Sequence, residues 1–104
     1  MNERVACAAP LWRWTSPKAP AAWRFVSISG AAGEALSATA LMRKLEGGGR
    51  GFGSLKVTAT IGMSRWKTSV FPSREAGWML PVKAAVRKAE GLGEGDVVEL
   101  VLEF

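Results

Sequence analysis

Histidine and tyrosine are absent from this chain, and cysteine occurs once, at Cys7. Without histidine there is no imidazole to move protons near neutral pH or to ligate a metal. One cysteine can form neither an intrachain disulfide nor an all-cysteine zinc site. The serines and threonines therefore lack a histidine base, and a general acid would have to be Glu34, Glu46 or Glu75, none at short spacing from another carboxylate. The expectation is a protein that is not an enzyme and needs neither cofactor nor metal. Long apolar runs are missing too. No stretch approaches the ~18 residues of a spanning helix, and the N-terminus, with Glu3 beside Arg4 and Pro10 soon after, is unlike a signal peptide. No membrane partner is expected, and the unpaired thiol fits a reducing cytoplasm.

Acid is scarce except at one end. All 14 Lys and Arg lie within residues 1–88, while five of the nine acids (Glu90, Glu94, Asp96, Glu99, Glu103) fall in the last 15 residues. Residues 1–89 carry a net +10 and residues 90–104 a net −5. A basic body of this kind attracts polyanions, nucleic acid first and an anionic membrane surface second.

What is present is one globular domain over residues 1–104, 48% hydrophobic, long enough to build one core from packing alone. Val5 to Trp14 reads as a strand with Trp12 and Trp14 on one face and Arg13 on the other, and Pro10 places it at an edge or bulge. Residues 15–22, with two prolines, read as a loop. Trp23 to Ser29 resumes the two-residue period. Ala31 to Glu46 carries Ala38, Leu41, Met42 and Leu45 at helical spacing, with Ser29 as a cap and Gly47 to Gly49 as a stop. The run Gly47-Gly48-Gly49-Arg50-Gly51-Phe52-Gly53 fits neither phosphate-loop spacing and follows a helix rather than a strand, so it reads as a flexible connector.

Leu55, Val57, Ala59 and Ile61 alternate with polar residues in the clearest strand of the chain. Its partner is Arg65 to Phe71. A two-residue Gly62-Met63 turn sets Ala59 against Trp66, Val57 against Thr68 and Leu55 against Val70, so that apolar meets apolar; a three-residue loop would set Ile61 against Arg65. Pro72 is expected to end the hairpin. Trp78 to Leu80 is a short strand, Pro81 opens a helix whose buried side is Val82, Val86 and Ala89, and Gly91 caps it. Val98, Leu100, Leu102 and Phe104 form a last strand with an acidic outer face. Each half contains a Trp-led strand running into a helix, from Trp23 and from Trp78. Six strands with this duplication predict a mainly β chain, a small barrel with two short helices.

The run Leu80-Pro81-Val82-Lys83, Val86-Arg87-Lys88-Ala89, Gly91-Leu92, Gly95-Asp96-Val97-Val98-Glu99 resembles the swapped-hairpin AbrB-type proteins. A closer resemblance is to a small bacterial family, DUF1905 (domain of unknown function), through Gly51-Phe52-Gly53-Ser54, Val57, Ile61-Gly62, Trp66, Thr68-Ser69, Phe71-Pro72 and Leu80-Pro81-Val82. These resemblances imply a double-split β-barrel of six strands and no catalytic residue. With no catalytic constellation and a family of unestablished activity, the expectation is a non-enzymatic binding or interaction module; the alternative, from the +10 body and the resemblance in fold, is an AbrB-like DNA-binding regulator. AbrB-type proteins complete their barrel by swapping between chains, whereas this chain has strands enough to close one alone, so a monomer is expected with its first and last strands in one sheet.

Four of the five tryptophans, Trp12, Trp14, Trp23 and Trp66, sit beside basic residues, an arrangement that can stack bases and hold phosphates. Strand parity sends neighbours to opposite faces, so the expectation is tryptophan in the core and arginine outside. For contact with DNA or another polyanion the placed residues are Lys56, Arg65 and Lys67 on the outer face of the hairpin, with Lys83 and Arg87 on the second helix.

Overall fold

The computed structural model describes residues 3–16, 19–45, 53–73 and 77–104, with 14–16 and 19–22 as backbone alone. Six strands and two helices follow in the expected order: β1 (Arg4–Ser16), β2 (Ala19–Ile28), α1 (Gly30–Arg43), β3 (Leu55–Ile61), β4 (Ser64–Ser73), β5 (Gly77–Pro81), α2 (Ala84–Glu90) and β6 (Val97–Glu103). The strands close a barrel in the order β1-β2-β5-β4-β3-β6. The last strand thus returns to the first, with Val5 opposite Leu102 and Cys7 opposite Leu100.

Two strands are split between partners. β1 pairs with β6 over Arg4 to Pro10 and with β2 from Leu11 onward, and β4 pairs with β3 up to Val70 and with β5 from Phe71. Pro10 stands at the changeover, where a missing N–H costs least. The unit β1-β2-α1-β3 therefore corresponds to β4-β5-α2-β6, which is the duplication hinted at by the two Trp-led strands. Pro72 does not end β4 as expected, because the strand goes on to meet β5, with Pro72 opposite Trp78.

Alternation drives the interior. Leu55, Val57, Ala59 and Ile61 of β3 and Val98, Leu100 and Leu102 of β6 are buried, and Leu11, Val26, Ile28, Val70 and Leu80 meet them from the other strands. The β3–β4 register is the one that pairs apolar with apolar: Leu55 faces Val70, Val57 faces Thr68 and Ala59 faces Trp66. Gly62 takes φ +57 and Met63 stays at negative φ, as a type II′ turn requires.

Residues 15, 16 and 19–22, expected as loop, continue the β1 and β2 strands, with Ser16 opposite Ala19. This hairpin arm outruns both neighbours: β6 leaves β1 at Pro10, and β5 pairs with β2 only from Phe25 inward. Pro20 there interrupts no ladder with a third strand. The glycine run 47–53 falls, except for Gly53, outside the described residues.

The helices dock differently from the sequence reading. α1 buries Ala32, Gly33 and Leu36, whereas Leu41, Met42 and Leu45 are exposed. Its first turns approach most closely because Gly33 has no side chain: a Cβ there would lie 2.9 Å from the Ile28 carbonyl oxygen. The Trp78 indole N–H donates to Ser37 Oγ at 3.0 Å and ties α1 to β5. Ser29 stands at the N-cap but makes no side-chain capping bond. α2 begins at Ala84, because Pro81 completes β5 and Lys83 is the N-cap. Val82 and Val86 are buried as expected, and Ala89 is exposed. Gly91, at φ +64, closes the helix in the left-handed conformation, and the Leu92 N–H donates to the Arg87 carbonyl at 2.9 Å.

Candidate functional site

The hairpin register decides which cations share a surface. On the outer face of β3 and β4, Lys56 stands opposite Ser69, Thr58 opposite Lys67 and Thr60 opposite Arg65. β6 adds Glu103 opposite Thr58, and the last turn of α1 brings Arg43 to the same place. Together Arg43, Lys56, Arg65 and Lys67, with the hydroxyls of Thr58 and Ser69, line an open depression of about 600 Å³. Glu103 is the acid in its wall, and Arg65 engages it at 3.3 Å. Both partners are solvated, so this ion pair contributes at most about 1 kcal/mol and leaves the depression positive. Chemically the arrangement offers point charges and hydroxyl donors to an anion.

Three of the sequence-nominated residues, Lys56, Arg65 and Lys67, are therefore brought together. Lys83 and Arg87 are not, since both belong to the α2 end of the chain. Lys83 is exposed at the N-cap of α2. Arg87 is half-buried and donates its Nε–H to the Val82 carbonyl at 3.2 Å. Arg43 was not legible in advance, because it joins from a helix whose exit lies in sequence far from the hairpin.

The tryptophan reading needs correction. Trp78 is buried and Trp66 packs half-buried against the core, but Trp12 and Trp23 face outward. The parity is set by Leu11, Val26 and Ile28, which fill the barrel and turn Trp12, Trp23 and Phe25 to its outside. There Phe25 lies 5.3 Å from Trp12 and 6.2 Å from Trp23 between ring centroids, the latter pair within 16° of parallel. The Trp12 indole N–H donates to Ser27 Oγ at 2.8 Å, which fixes that ring. Trp23 is 52% exposed. Because Val5, Cys7, Ala9 and Leu11 alternate with Ala6, Ala8 and Trp12, both faces of β1 are apolar and no signal within the strand marks this one.

Cys7 is half-buried against the core, as a small apolar residue would be. Burial pushes its thiol up from 9.0, which lowers the thiolate fraction and its nucleophilicity. Among the described residues no group of three or more Cys, Asp or Glu is placed to hold a metal ion, and no helix is long and apolar enough to cross a membrane.

No curated protein matches this chain. The family model described as Domain of unknown function (DUF1905) matches residues 8–102, from the first strand of the barrel to the last. With that coverage, and with the six-stranded barrel the resemblance implied, the chain belongs to the DUF1905 family.

Proposed function

We propose that this protein is a non-enzymatic binding module whose ligand is a polyanion, nucleic acid first, held at the depression on the β3–β4 hairpin, with the cytoplasm as its setting. The observation that carries this reading is the gathering of Arg43, Lys56, Arg65 and Lys67 around one cavity whose lining includes one acidic side chain, Glu103, already engaged by Arg65. The strand composition supports it. β1, β2, β3, β4 and β5 contain no Asp or Glu, and the strand acids are confined to β6. The non-enzymatic part rests on the missing histidine and on a cysteine whose thiol is held protonated by burial.

Fluorescence anisotropy with nucleic acid at about 50 to 200 mM salt tests the reading. Three cations free of an ion pair predict a salt slope near −3 for duplex DNA, a loss of roughly 40-fold in affinity across that range. Lys56→Ala and Lys67→Ala should each weaken binding and flatten the slope by about one. Binding that ignores salt, or a turnover abolished by Cys7→Ala, overturns it.

A further inference from the structure

The basic depression does not end at Ser69. Along β4 the outward positions are Arg65, Lys67, Ser69 and Phe71, each step of two residues advancing about 6.8 Å, and Phe71 is 40% exposed. From Phe71 the outer face continues across the sheet. Phe71 pairs with Met79 of β5, Met79 with Ser27 of β2, Pro81 with Phe25, and Phe25 with Trp12 of β1. The row ends at half-exposed Trp23, stacked on Phe25. A track of cations and a hydroxyl thus runs into an apolar band across four adjacent strands, aromatic on β4, β2 and β1 and bridged on β5 by Met79 and Pro81.

A band of this composition on a protein surface marks an interaction site, and the charge beside it says which kind. On the same outer face, Arg65 and Lys67 stand in line with Phe71 along β4, and the four strands that carry the band contain no acid. Rings that accept flat π-faces, continuous with cations that accept phosphates, match an unpaired nucleotide chain. A duplex keeps its bases stacked inside and cannot offer them to the band.

We infer that the ligand is single-stranded nucleic acid, its phosphates along Arg65, Lys67 and Ser69 and its bases on Phe71, Phe25 and Trp23. The inference rests on the polyanion reading and adds the strandedness and the stacking face.

The test uses the full chain and three probes at one salt concentration: a labelled oligothymidylate of about 20 nucleotides, a random duplex of equal length, and inorganic polyphosphate. The oligothymidylate is expected to bind roughly ten-fold tighter than the duplex and to quench tryptophan fluorescence, which polyphosphate leaves unchanged. Trp23→Ala and Phe71→Ala should each lose roughly five- to ten-fold for the oligothymidylate and nothing for polyphosphate. Both side chains are exposed, and circular dichroism verifies that each variant is folded. Equal affinity for duplex and single strand, or an oligothymidylate affinity untouched in both variants, overturns the inference and leaves the polyanion reading standing. Failure to bind any of the three at about 50 mM salt overturns both.

Discussion

Gly62 and Glu90 meet where the tip of the β3–β4 hairpin touches the end of α2. The Glu90 carboxylate accepts from Ser64 Oγ at 2.7 Å and from the Met63 N–H at 3.3 Å, and a Cβ on Gly62 would lie 1.9 Å from Glu90 Oε1. Gly62→Ala therefore strains a residue at φ +57 and displaces the carboxylate as well. The expected cost is about 2 kcal/mol or more, read as a lower urea midpoint at unchanged slope. Cys7 gives a pH prediction. Its folded pKa is raised above 9.0 by burial, so its contribution is fully present below about pH 9 and is lost as pH rises through the folded value. Stability measured from neutral to strongly alkaline pH should fall at the alkaline end, and Cys7→Ala should flatten that fall. The thiol should also react with an alkylating reagent more slowly than a free cysteine at pH 8.

At the scale of elements, α1 is the part whose docking reaches the candidate site. Leu36 is fully buried, and Ser37 receives the Trp78 indole bond. Truncating Leu36→Ala removes the main apolar anchor and should cost about 2–5 kcal/mol in chemical denaturation. Because the same helix supplies Arg43, the variant should also bind a polyanion more weakly, whereas Leu80→Ala, in a strand without a lining residue, should destabilise with less effect on binding of the remaining folded protein. In the same barrel β3 is held by β4 on one edge and β6 on the other, so its outer residues keep fixed cross-strand neighbours.

For the whole molecule, closure within one chain is the governing feature. β1 pairs with β6, and the two β-β-α-β halves complete one barrel between them. A barrel that shares no strand with a second chain should melt at a temperature independent of concentration. Melts over roughly hundred-fold dilution, with sedimentation velocity giving a species of 11.1 kDa, check this expectation; a melting temperature that falls on dilution, with a species of twice that mass, would show the barrel shared.

The sequence by itself determined whatever depends on neighbours within a few residues. The period-two runs marked β3 and β6, Gly62-Met63 set the hairpin register, and Gly91 set the end of α2, since turn and cap conformations are local. The three nominated hairpin cations followed from that register. What only the tertiary structure decided was which face of a strand is inside when both faces are apolar. In β1, Val5, Cys7, Ala9 and Leu11 alternate with Ala6, Ala8 and Trp12, and periodicity alone does not choose between them. Closure chooses: the interior of a six-stranded barrel is narrow and is filled here by Leu, Val and Ile, so the indoles of Trp12 and Trp23 go outside. The same closure carries Arg43 to the hairpin and lays Phe71 and Phe25 on one surface, juxtapositions set by strand order rather than by spacing along the chain.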